Sequence, residues 1–211
     1  MKNYEFCILD CDVVVLDSNR IKTRAFKEAL LLEPKDKVKK LIDYHLLNGG
    51  VSRYEKFEYY FKNIKCSQDI ESDLQKALDK FASYVYNKLL KCDLVPGVIQ
   101  FVEKMNNLDI KCYVNSGSDE NELNEVFKER GFINLFEEIK GSPNTKDKNT
   151  SSIIGSIGKE RRGVFFGDSK SDYLSAKKFS LDFIFISGYS EWENPSGDFT
   201  DEFENFLSLC R

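Results

Sequence analysis

Four short stretches of this chain are apolar at nearly every position: residues 4–9, 110–114, 163–166 and 183–186. They are rich in β-branched and aromatic side chains and lack polar alternation. That pattern predicts strands covered on both faces, as in a parallel sheet between two helix layers. Residues 138–140, after Leu135-Phe136, form a weaker candidate. Between these runs apolar residues recur at helical spacing. Pro96 stands where a first helical residue would, ahead of Val98, Phe101, Val102 and Met105. Ser118, Asp119 and Glu120 open a second helix with the stripe Leu123, Val126 and Phe127, stopped by Gly131. Asn149 or Thr150 caps a third, which carries Ile153, Ile154 and Ile157. Strands alternating with helices predict an α/β fold with a doubly wound parallel sheet.

Residues 17–92 break the alternation with four helical patterns in a row. Ile21, Ala25, Phe26, Ala29 and Leu30 form one stripe, closed by Pro34. Val38, Leu41, Ile42 and Leu46 form the next, closed by Asn48-Gly49-Gly50. A third opens on the capping box Ser52-Arg53-Tyr54-Glu55 and runs through Phe57, Phe61 and Ile64. The fourth carries Ile70, Leu74, Ala77, Leu78, Phe81, Val85 and Leu89. The expected organisation is a sheet core of residues 1–16 and 93–211 with an α-helical cap, 17–92, inserted after the first strand.

Chemistry gathers where the strands end. Asp10-Cys11-Asp12 follows the first strand, and Asn115-Ser116-Gly117-Ser118 follows the second. Lys146 lies on the loop after the weak strand, with Lys148 two residues on as its rival. Gly167-Asp168-Ser169 follows the fourth strand, with Asp172 just beyond. Open α/β sheets bind ligands at this carboxyl edge. Several acids, a hydroxyl, free backbone N–H groups and a lysine suit a hard divalent cation beside a phosphate.

Composition removes competing classes. The 31 basic and 35 acidic side chains leave a net charge of −4, without the basic excess that a nucleic-acid binder needs. No apolar run is long enough to span a membrane. The N-terminal stretch carries acids and no small-residue cleavage pattern, so no secretory leader is expected. Six scattered cysteines form no C-x-x-C pair, which fits reduced thiols in the cytoplasm. A single histidine, His45, excludes a multi-histidine metal site, and packing or surface exposure is its ordinary role.

In order, these motifs resemble the haloacid dehalogenase superfamily, specifically its phosphoglycolate phosphatase and β-phosphoglucomutase-like members with a helical cap. The matching residues are Asp10 and Asp12; Ser116; Lys146 within Gly-Ser-Pro-x-x-Lys; and Gly167, Asp168, Ser169 and Asp172. Val13 departs from the pattern, standing where relatives usually carry Gly. The resemblance implies a Mg²⁺-dependent phosphatase acting on a small phosphorylated metabolite, a sugar phosphate or phosphoglycolate. It makes Asp10 the nucleophile and Asp12 the acid and base. Ser116, Gly117 and Lys146 would bind phosphate, while Asp10, Asp168 and the Asp12 carbonyl would bind the metal. Asp172 would either position Lys146 or take a metal-bound water. Within the cap, Asn48, Gly49, Gly50, Arg53 and Lys56 are the candidates for substrate contact, a glycine turn beside two cations. A phosphosugar mutase and a non-catalytic phosphate- or metabolite-binding protein are the alternatives. A monomer or weak homodimer with no nucleic-acid or membrane partner is expected.

Overall fold

The computed structural model describes residues 4–158 and 161–210. Residues 1–3, 159, 160 and 211, assigned above to the core, lie outside the described residues. Six strands form one parallel sheet: β1 (Phe6–Leu9), β2 (Lys111–Asp119), β3 (Glu138–Ser142), β4 (Gly163–Gly167), β5 (Asp182–Ile186) and β6 (Asp201–Phe203), in the order β3-β2-β1-β4-β5-β6. The order reverses direction at β1, which opens a crevice at its carboxyl end. Neighbouring residues of β1 face opposite layers. Cys7 and Leu9 join the larger apolar cluster, and Phe6 and Ile8 the smaller. Burial on both faces is why the strand is apolar throughout.

Helices α5 (Val98–Asn107), α6 (Glu120–Glu129), α7 (Lys146–Ile157) and α8 (Lys170–Lys178) follow within the sheet unit. Between β1 and β2 come four more: α1 (Asn19–Ala29), α2 (Lys35–Leu47), α3 (Arg53–Tyr59), which continues as a π-helical turn over Tyr60–Lys65, and α4 (Ile70–Leu89). The chain enters and leaves this insertion side by side. Asp17 N donates to Asp93 O at 2.9 Å and Val95 N to Val15 O at 3.1 Å. Phe26, Phe57 and Phe81 pack within the insertion, and their cluster is continuous with the core residues Val14, Val15 and Leu16. Among the described residues no helix is long and apolar enough to cross a membrane.

Several boundaries differ from the sequence expectation. Helix α7 starts at Lys146 rather than near Asn149, because Thr145 caps it by accepting from Lys148 N at 3.3 Å. Lys146 therefore stands on a first helical turn rather than a loop. Asp119, not Ser118, caps α6 by accepting from Glu122 N at 2.9 Å. Gly97, at φ +82°, precedes the first residue of α5, which puts Pro96 outside the helix. The sequence shows no apolar run at three-residue β6, Asp201-Glu202-Phe203. Beyond it Phe206 is fully buried against Phe101 and Phe166.

Candidate active site

Asp10 leaves β1 with its N–H donating to Phe166 O at 2.9 Å. Its Oδ1 accepts from Cys11 N at 2.8 Å and from Lys146 Nζ at 2.9 Å. No donor among the described residues reaches Oδ2. Burial, and then the Asp172 carboxylate, push the Asp10 carboxyl up to about 7, while Lys146 pulls the other way. The chain turns sharply after Asp12, with Val13 N bonded to Leu16 O at 2.7 Å and Val13 at φ +69°. That left-handed backbone is costly for a β-branched residue. Complete burial of the Val13 side chain offsets the cost, so the turn forms without the glycine.

Lys146 is buried between two acids, Asp10 and Asp172. Burial opposes its charge, but the two carboxylates outweigh that and hold its pKa above the ordinary value. Asn115 Nδ2 fixes the start of α7 by donating to Lys146 O and Thr150 Oγ1, both at 2.9 Å. Lys148 is exposed, so Lys146 is the lysine that reaches the aspartates. Asp172 Oδ1 takes Lys146, and its Oδ2 accepts from Ser169 N at 3.1 Å and Ser169 Oγ at 2.6 Å. Asp172 thus positions Lys146 and the start of α8.

Asp168 follows β4. Ser190 Oγ binds its carbonyl at 2.6 Å, but its buried carboxylate accepts no hydrogen bond among the described residues. Burial, and then Asp10, hold its pKa well above the carboxylate range. Carboxylate oxygens of Asp10, Asp168 and Asp172 lie within 4.8 Å of one another. Three buried acids against one lysine are under-compensated. An unpartnered carboxylate in such a cluster fits a divalent cation, for which oxygen donors are the proper chemistry.

The Asp12 side chain turns the other way. It accepts from Ser18 Oγ, from Lys22 Nζ at 2.5 Å and from Ser118 Oγ at 2.8 Å. Burial opposes its charge, yet Lys22 and these hydrogen bonds hold its carboxyl below the ordinary range. Lys22 also donates to Ser118 Oγ. Neither Lys22, Ser18 nor Ser118 was singled out as a site residue from the sequence. A signal existed: Lys22 shares the helical face of Phe26 and Ala29, so a cation interrupts an apolar stripe.

Ser116 is fully buried, and its Oγ accepts from Ser118 N at 3.1 Å. Gly117 and Ser118, rather than Ser116, face the cavity. That cavity, of about 540 Å³, lies between the sheet unit and the inserted helices, with Asp10, Asp12 and Asp168 on one side. Phe26, His45, Asn48, Gly49, Gly50, Arg53, Lys56 and Phe81 line the other. Gly50, at φ +77°, stands over Lys146, where a Cβ would collide with Ser171 Oγ. A Cβ on Gly117 would run into Gly50 O, so glycine on both sides permits the contact.

The two cap cations have different partners. Arg53 forms a two-pronged pair with Glu122 of α6, Nη1 to Oε2 at 3.0 Å and Nη2 to Oε1 at 2.5 Å. Tyr54 adds a hydrogen bond to Asp119 Oδ2 at 2.7 Å. Lys56 Nζ meets His45 Nδ1 at 2.9 Å, and His45 Nε2 meets Thr23 Oγ1 at 3.1 Å. Burial, and then Lys56, keep the His45 ring neutral by lowering its pKa.

Comparison with solved structures returns the whole architecture. A predicted phosphoglycolate phosphatase from Haemophilus somnus is 17% identical, with 99% of this chain and 97% of that one covered at a TM-score of 0.75. CbbY from Rhodobacter sphaeroides, solved with phosphate, is 16% identical over 98% of this chain and 96% of its own, TM-score 0.74. YfnB from Bacillus subtilis, named a HAD-hydrolase and solved with magnesium, is 14% identical over 98% and 97%, TM-score 0.72. At such identities the likeness establishes the fold. No curated protein sequence matches the chain. The family model for haloacid dehalogenase-like hydrolases matches residues 7–186, from β1 to the end of β5, and the chain belongs to that family.

Proposed function

We propose that the chain is a Mg²⁺-dependent phosphatase that hydrolyses a small phosphomonoester through a phosphorylated Asp10. The observation that carries this is the Asp10 carboxylate: one oxygen is locked by Cys11 N and Lys146, and the other, at the cavity, meets no donor among the described residues. A nucleophile in that position is oriented without being blocked. The names of the solved structures it resembles point the same way.

Asp10, Asp168 and the Asp12 carbonyl are the residues that would hold the cation, consistent with the Asp12 side chain turning away. Bound Mg²⁺ would supply charge cancellation between an anionic nucleophile and an anionic phosphate. Lys146, kept protonated by Asp10 and Asp172, would hold a phosphoryl oxygen, with Gly117 and Ser118 presented beside it and Ser116 behind them. In the first half, Asp10 Oδ2 forms the bond to phosphorus and the ester oxygen leaves with a proton. Asp12 Oδ2 shares hydrogen bonds with Lys22 Nζ and Ser118 Oγ, so the Lys22 ammonium can supply that proton through the carboxylate. In the second half, water attacks the phosphorylated Asp10 and gives its proton back to the same pair. Protons and charge balance over the cycle.

The test is phosphate release from a panel of phosphomonoesters with and without Mg²⁺. Turnover should need the metal, and Asp10→Asn should lower it by about 10⁴-fold or more. Retained activity in Asp10→Asn would remove the nucleophile assignment.

A further inference from the structure

Three of the buried cations around the cavity are already spoken for. Lys22 is paired with Asp12, Lys146 with Asp10 and Asp172, and Arg53 gives both ends of its fork to Glu122. Arg53 also lies over the Phe81 ring, 4.8 Å from its centroid. Lys56 is the exception. It is 3% exposed and lines the cavity, yet it forms no ion pair with any described residue. Its one polar partner among the described residues is His45, a neutral ring. A ring that accepts from Lys56 at Nδ1 carries its proton on Nε2 and gives it to Thr23 Oγ1, so the chain Thr23–His45–Lys56 orients the amine without neutralising it.

A buried cation without a counter-charge is expensive, and a bound anion would supply the missing partner. We propose that Lys56 receives a second anionic group on the leaving alcohol, so that the preferred substrates are phosphomonoesters whose alcohol half carries a carboxylate or another phosphate. This rests on the phosphatase reading, and it assigns to Lys56 the discrimination that Arg53, occupied by Glu122, is not free to make.

The surroundings agree. Phe26 and Phe81 form apolar walls beside Lys56, its Nζ 5.9 Å from the Phe26 centroid, and exclusion of water strengthens an ion pair there. Burial, and then Lys22 of α1, press the Lys56 ammonium down to about 7, with Lys146 of α7 adding to the effect. Asp12 and Glu55 oppose it. An arriving anion restores the charge. Glu191 and Glu193, also on the cavity wall, are exposed and hence screened by solvent. They make a cationic leaving group the natural competitor, and the test includes one.

The experiment compares near-isosteric esters on the whole protein with Mg²⁺. These are 2-phosphoglycolate, the neutral 2-hydroxyethyl phosphate, the cationic phosphoethanolamine, and ethane-1,2-diol bisphosphate. The expected kcat/KM for 2-phosphoglycolate or the bisphosphate exceeds that for the neutral ester by about 30-fold or more, the loss typical of leaving one buried charge unpaired. The better of the two identifies whether carboxylate or phosphate is the partner. In Lys56→Met the ratio falls to near one through KM, while the melting temperature rises because a buried ammonium is gone. A wild-type ratio near one, a preference for phosphoethanolamine, or a ratio that survives Lys56→Met overturns the assignment. Binding of the same four esters to Asp10→Asn, measured by calorimetry, should follow the same order. An absence of turnover for every ester would reject the phosphatase reading, and the calorimetric order would still decide the role of Lys56.

Discussion

A carboxylate takes its chemistry from what its two oxygens touch. Asp10 and Asp12 stand two residues apart, yet burial beside other acids raises one while Lys22, Ser18 and Ser118 hold the other ionised. Under the proposed function, environment separates their roles as nucleophile and proton-transfer group. Lys22 is the residue on which this separation depends. Lys22→Met should lower kcat by about 100-fold, the scale of one general acid–base contribution, with a smaller change in KM. Steady-state kinetics on a good substrate measures it. An unchanged kcat would show that Asp12 works without the ammonium.

At the scale of elements, the inserted helices are held to the sheet unit by polar contacts that are themselves buried. Arg53 of α3 and Glu122 of α6 are 69 residues apart in sequence and meet with side chains only 6% and 8% exposed. Arg53→Met leaves Glu122 buried and unpaired, and should cost about 3–5 kcal/mol. The double variant Arg53→Met/Glu122→Leu should recover most of that loss, because neither charge then remains. Chemical denaturation of the two proteins checks the pair. Equal losses would assign the effect to lost packing on Phe81 rather than to the abandoned charge. The glycine turn at the end of α2 completes the closure, with Gly50 over Lys146 and against Gly117.

For the whole molecule, the acid cluster links protons, stability and the proposed cation. Without metal, burial and then the Asp172 carboxylate raise the Asp10 carboxyl to about 7 in the fold, from its ordinary 3.8. Between those values the folded protein binds more protons than the unfolded chain, so this group's contribution to stability falls as pH rises. Asp168 shifts in the same direction. A cation needs both groups ionised, so protons compete with it. Mg²⁺ should therefore raise the melting temperature more at about pH 8 than at about pH 5. Calorimetric scans with and without Mg²⁺ test this, and equal shifts at both pH values would argue that the metal binds elsewhere.

Much of this was legible along the chain. Apolar runs located four of the strands, since a strand buried on both faces has no polar alternation to hide it, and β3 was the weaker candidate because its Glu138 and Lys140 break the run. Ordered strand-end residues singled out Asp10, Lys146, Asp168 and Asp172, which the fold brings together around one crevice. Local capping chemistry was read less well: Thr145 starts α7 before the apolar stripe begins, and β6 has no stripe. The pairing of charges was decided only by the tertiary structure. Lys22 meets Ser118 across 96 residues, Arg53 meets Glu122, and Lys56 is left with a neutral histidine. Periodicity and order are properties of neighbours in sequence, so the sequence by itself determined the alternation of strands and helices, the run of helices after β1 and the chemical groups. Coulomb energy depends on separation in space and on the water excluded around it, and only the folded chain sets those.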